Sequence, residues 1–115
     1  MDIPLLDFDK LIERMEGDLE LIREIFDIFV AEAPERRAKF EKALLEGDSQ
    51  AMVMLSHSLK GASGTLHAEP LRQACYDLEH AARAADAAKV AALTPPVMDM
   101  LEKTAARIDE IRKGL

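Results

Sequence analysis

Tryptophan is absent from this chain, and aromatic residues make up only 4% of its 115 residues. A core must therefore be built from Leu, Ile, Val, Met and Ala. There is one cysteine, Cys75, which excludes an internal disulfide framework and a cysteine-based zinc site. Basic residues are outnumbered, 15 Lys and Arg against 22 Asp and Glu, for a net charge of −7. That disfavours DNA or RNA as a partner, because phosphate backbones are bound by basic stripes. No apolar run reaches the roughly 18 residues of a membrane span. Met1-Asp2-Ile3-Pro4 is acidic and lacks a signal-peptide pattern, so the chain reads as cytoplasmic. Neither a Walker A pattern nor a Gly-rich nucleotide loop is present, which argues against an ATP-binding kinase.

What is there favours helix. Apolar residues are 49% and charged residues 32%, enough for a packed core under a solvated surface. Ala, Leu, Glu, Asp and Arg are frequent and Gly is scarce. Asp7 predicts an N-cap for a short helix reaching about Met15, closed by Gly17. Asp18 caps a second segment with Leu21, Ile22, Ile25, Phe26, Phe29 and Val30 at helical spacing. Pro34 either kinks that helix or opens another, and the pattern then runs to Gly47. Asp48 caps a third segment from about Ser49 to Leu66, and His67-Ala68 breaks it. Pro70 suits the first turn of a helix reaching about Ala85. Asp86 caps a short continuation through Val90. Thr94-Pro95-Pro96 then predicts a restart, with Thr94 as N-cap of a last helix ending near Gly114. The sum is an all-α single domain over residues 1–115. Short loops make it an antiparallel up-down-up-down four-helix bundle, with a short N-terminal lead helix over one end or side.

One stretch does not read as scaffold: Ser56-His57-Ser58-Leu59-Lys60-Gly61-Ala62-Ser63-Gly64. With Leu55 at zero on a helical wheel, Leu59, Ala62, Leu66 and Ala51 fall within about 40°. Met52 lies slightly further out, and together these form a core stripe. His57 falls near roughly 200°, Gly64 near 180°, Gly61 near 240° and Lys60 near 140°, on the far face. Glycine inside a helix costs about 1 kcal/mol relative to alanine, so Gly61 and Gly64 need a reason. Beside His57 they bare the backbone and open close approach to the ring. Val53 and Met54, one turn earlier, add apolar surface suited to docking. The bland alternative is a helix packed on both sides, with a buried or incidental histidine.

On the next helix Leu71, Cys75, Leu78, Ala82 and Ala85 form the core stripe, which makes Cys75 a small buried apolar residue. Arg72, Tyr76, Glu79 and Arg83 run along its edge. Paired antiparallel with the His57 helix, that edge lets Glu79 accept a hydrogen bond from the imidazole and fix its tautomer. Arg83 and Lys60 are then placed to neutralise a phosphoryl group. A plain ion-pair ladder on a solvated helix face is the competing reading. Asp77-x-x-His80 has carboxylate–histidine spacing, but His80 points away from the expected core, so no metal site is assigned.

His57-Ser58-Leu59-Lys60-Gly61-Ala62-Ser63-Gly64-Thr65-Leu66, with Ala68, Leu71, Cys75, Leu78-Glu79 and Arg83, closely resembles the histidine-containing phosphotransfer (HPt) domain family of multistep two-component phosphorelays. Leu19 to Phe29 and Ala33-Pro34-Glu35 are also similar to that family. The resemblance implies a four-helix bundle with His57 as phosphoacceptor, Lys60 as the basic residue beside the phosphoryl group and Gly61 as the glycine that clears room for a partner. Glu79 and Arg83 are looser matches to supporting polar and basic positions, and Tyr76, Val53 and Met54 fall on the implied docking surface. His67 departs from the pattern, standing where the family usually has Gly before Ala68.

The implied chemistry is reversible phosphoryl transfer between His57 and an aspartate of a response-regulator receiver domain. A neutral imidazole is the nucleophile and in-line geometry the requirement. No cofactor is expected on this chain, and Mg²⁺ is expected on the receiver. A hybrid histidine kinase is the expected upstream partner and a monomer the expected state. A helical adaptor that binds a receiver or kinase without phosphorylation is the alternative.

Overall fold

Aspartates set where four of the helices begin. The computed structural model describes residues 3–115; Met1 and Asp2, which open the acidic N-terminal stretch, lie outside the described residues. Helices α1 (Phe8–Arg14), α2 (Leu19–Glu46), α3 (Ser49–Thr65) and α5 (Ala87–Lys113) are N-capped by Asp7, Asp18, Asp48 and Asp86. Each carboxylate accepts from the backbone N–H three residues on, at 3.0–3.1 Å. Such a cap is worth about 1 kcal/mol. Helix α4 (Glu69–Arg83) has Ala68 at its N-cap and no side-chain cap, but Pro70 occupies its first turn.

Helices α2 to α5 form the expected antiparallel bundle. Each packs on the next, and α2 closes the ring against α5. The lead helix α1 covers the end where α3 turns into α4, since Asp7 N–H donates to the His67 carbonyl at 3.0 Å. Phe8 sets its ring 6.1 Å from that of Phe26. The core is aliphatic except for Phe26, Phe29 and Phe40, which are all buried. Three of the five aromatics are thus spent on the interior.

Both proline expectations resolve the same way. Pro34 lies inside one continuous α2, and Pro95 and Pro96 lie inside one continuous α5. The predicted restart at Thr94 does not occur. Thr94 is buried, and its Oγ1 donates to the Val90 carbonyl at 2.7 Å, a mid-helix posture. The missing N–H groups orphan the carbonyls of Ala91 and Ala92, which lie on exposed residues and so escape the penalty of a buried unpaired group. Val97, Met98 and Leu101 are buried, and that packing holds the helix through the break.

Three helices end on non-glycine residues in the left-handed region. Glu16, His67 and Ala85 have φ of 54°, 56° and 52°. At His67 the Ala68 N–H reaches back to the Ser63 carbonyl at 2.9 Å, which closes α3 with a Schellman-type turn. This is the conformation for which glycine is suited.

Candidate functional site

The α3–α4 pair builds the site. The α3 stripe facing the core is Met52, Ser56, Leu59, Ser63 and Leu66. It is rotated by about 60° from the wheel centred on Leu55, and Leu55 and Ala62 are only half-buried. Two serines cause the rotation. Ser56 and Ser63 are fully buried, and each donates its hydroxyl to the carbonyl one turn back, Met52 and Leu59, at 2.7 Å. Their polar atoms are thereby satisfied without a partner on another helix. Their small size lets α4 lie close. The serine pair was the available sequence signal for this face, and a wheel read from large apolar residues passes over it.

The rotation brings Lys60 to the edge of the contact and leaves His57 outside. The His57 side chain is 64% exposed and that of Lys60 25%. Opposite them on α4, Glu79 has only 7% of its side chain exposed. Three groups converge on its carboxylate. Oε2 lies 3.2 Å from His57 Nδ1 and accepts from Arg83 at 3.1 Å (Nε) and 2.7 Å (the terminal nitrogen). Oε1 forms an ion pair with Lys60 Nζ at 2.7 Å, off the line of a well-directed hydrogen bond. Lys60 Nζ also stands 5.7 Å from the centroid of the Tyr76 ring. Glu79 is therefore the buried centre of a network whose outer members reach solvent, and the solvated-ladder reading of its helix edge does not hold.

Burial works to raise the Glu79 pKa. The close Lys60 ammonium and the hydrogen bonds from Arg83 and His57 outweigh it and pull the carboxyl down to about 2. An ionised carboxylate only accepts hydrogen bonds, so His57 Nδ1 must carry the hydrogen. Nε2 then holds the free lone pair on a largely exposed ring.

Both glycines share this surface. A Cβ placed on Gly61 would meet nothing within 4 Å, and one on Gly64 would meet only Arg72 Cδ at 3.5 Å, an ordinary contact. Neither has positive φ. Nothing inside the molecule requires glycine at position 61. Toward the N-terminus of α3 the surface opens into a shallow depression of about 540 Å³ lined in part by Val53, Met54, Ala82 and Arg83. Met54 is exposed and Val53 half-buried. Tyr76 is 50% exposed on the other side of Lys60.

Other candidates fall outside. Arg72 pairs with Glu69. Asp77 accepts from Gln73, and His80 lies in the α4–α5 groove. Cys75 is fully buried, and burial pushes its thiol up to about 12. Among the described residues no group of His, Cys, Asp and Glu is arranged to hold a metal ion, and no helix is long and apolar enough to cross a membrane. One contact went unforeseen: Arg36 of α2 donates to Ser58 Oγ at 3.3 Å, next in sequence to His57. It links α2 to the back of the site.

Comparison with known proteins places the fold. The chain is similar to the crystal structure of histidine-containing phosphotransfer protein B (HptB) from Pseudomonas aeruginosa PAO1, with a TM-score of 0.89, 27% identity and 99% of each chain covered. It shares its fold with the HPT domain of the Hpt sensor hybrid histidine kinase from Shewanella, with a TM-score of 0.86, 20% identity and 96% of each chain covered. No curated protein sequence matches it. The family model for the Hpt domain matches residues 24–113, from the second turn of α2 to the end of α5. The chain therefore belongs to the Hpt family of histidine phosphotransfer domains.

Proposed function

We propose that this chain is a phosphorelay intermediate in which Nε2 of His57 accepts and returns a phosphoryl group, exchanging it reversibly with an aspartate of response-regulator receiver domains. The observation that carries the reading is the exposed imidazole whose Nδ1 is tied to a buried, ionised Glu79, leaving Nε2 free to attack. Lys60 and Arg83 bring positive charge within reach of a bound phosphoryl group. Gly61 and Gly64 leave the approach to the ring open. Val53, Met54 and Tyr76 supply apolar surface against which a receiver docks. The receiver brings Mg²⁺ and the remaining catalytic groups. This chain brings the nucleophile and no cofactor, and a hybrid histidine kinase feeds it. It works as a cytoplasmic monomer.

The test is transfer from a radiolabelled phospho-receiver domain. Wild type should gain an acid-labile, base-stable label that His57→Ala does not. A label that persists in His57→Ala and vanishes in His67→Ala would move the site. Tight binding of an unphosphorylated receiver with no transfer would make the chain an adaptor.

A further inference from the structure

Fixing a histidine tautomer does not require a charge. A side-chain amide or a backbone carbonyl accepts from Nδ1–H equally well. Here the acceptor is a full carboxylate, 7% exposed, whose desolvation is offset by Lys60 and Arg83. The two cations and the one carboxylate leave a single net positive charge when the ring is neutral. A phosphoryl group arriving on Nε2, with the Nδ1 proton retained, adds one negative charge and brings the cluster to neutrality. Loss of that proton would leave it negative. The charges are matched to a phosphorylated ring that keeps its proton.

We propose that Glu79 is a positioning residue whose carboxylate holds the proton on Nδ1 of His57 throughout the reaction, so that the phosphohistidine is an N-phosphoimidazolium and transfer in either direction moves no proton. This rests on His57 being the acceptor. In the forward step the Nε2 lone pair attacks the phosphorus of an aspartyl phosphate. The P–O bond breaks, and its electrons return to the aspartate carboxylate. The ring becomes cationic beside Glu79. In the reverse step a carboxylate oxygen attacks phosphorus and the P–N electrons return to Nε2. The leaving group is then a neutral imidazole and not an imidazolate, which keeps the phosphoryl group exchangeable. An amide at this position would hold the proton less firmly and release both cations to the phosphoryl group.

The charged and titratable surroundings are few. Lys60 faces the carboxylate from α3 and Arg83 from α4, with Tyr76 of α4 against Lys60. From α2, Arg36 reaches Ser58 and not the ring. No ion-pair partner of His57 or Glu79 comes from α5 among the described residues.

The experiment uses the full chain and phosphoramidate, whose phosphoryl group moves to Nε2 as ammonia leaves. Phosphorus NMR of the phosphohistidine is followed against pH, and its decay after donor removal is timed. In Glu79→Gln the ring should deprotonate about one to three pH units lower than in wild type, the shift an opposite charge at this range produces. Decay at a pH above both midpoints should slow roughly tenfold per unit of that shift. Equal midpoints and equal decay in the two proteins would overturn the proposal. Nitrogen NMR of phosphorylated wild type gives a second reading that needs no variant: at about pH 8 a protonated Nδ1 on the phosphohistidine supports it and a bare one overturns it. Wild type that takes no phosphoryl group, or label that survives in His57→Ala, would bring down the acceptor assignment itself, which is a separate result.

Discussion

At the scale of single residues, Gly61 and Glu79 carry opposite kinds of information. Gly61 has space around it that the fold does not use, so the fold itself does not require glycine there. Gly61→Ala should stabilise the fold by about 1 kcal/mol through helix propensity, read as a rise in Tm. The same change should slow phosphoryl transfer from a receiver, where a displacement of about 1 Å costs on the order of a hundredfold. A variant that melts higher and transfers at the wild-type rate would remove Gly61 from the docking surface. Glu79 has the reverse character, since all its partners are internal. Its carboxyl is held near 2 against the usual 4.5, so the unfolded chain binds the proton more readily. Its contribution to stability is full above about pH 4.5 and is lost as pH falls toward 2. Denaturant titrations at pH 7 and at about pH 3 should show wild type losing more stability over that interval than Glu79→Gln. Equal losses would mean that the network is not formed in solution.

At the scale of helices, beginnings and endings were both legible to within a residue or two, while the interruptions were not. Four aspartate N-caps could be placed from sequence because the cap is made by one side chain and one backbone N–H three residues on. Endings depend on a left-handed residue, and in this chain glycine marks only some of them. His67 was singled out because a glycine is usual there in the family, and its φ of 56° places it in that region. His67→Gly should raise stability by up to about 1 kcal/mol by relieving the left-handed penalty, measured by denaturant midpoint; no gain would mean that the half-buried imidazole packs usefully. The prolines misled because local chemistry says stop. Thr94-Pro95-Pro96 has the composition of an N-cap, yet Val97, Met98 and Leu101 are buried on the far side of it. Tertiary packing outweighed a local preference.

At the scale of the whole molecule, the net charge of −7 and the cationic pair at His57 coexist because Lys60 and Arg83 are gathered on one buried carboxylate. The bundle also isolates Cys75, which lies fully buried between helices with its thiol pushed up to about 12. A thiol reagent near pH 7 should label it only as fast as the bundle opens, so the labelling rate should follow global stability. Rapid labelling of the native protein would show that α4 detaches on its own.

The sequence by itself determined the all-α bundle, the aliphatic core and the outward face bearing His57, with two glycines beside it. Each of these follows from short-range spacing along one helix. Through its resemblance it also pointed to the Hpt family. Only the tertiary structure decided that Glu79 is buried and shared by three side chains, that α3 turns on Ser56 and Ser63, and that α5 runs unbroken through its prolines. These depend on how closely two helices approach and on which carboxylate meets which cation across a gap in sequence. The spacing of residues along one helix carries no record of that distance.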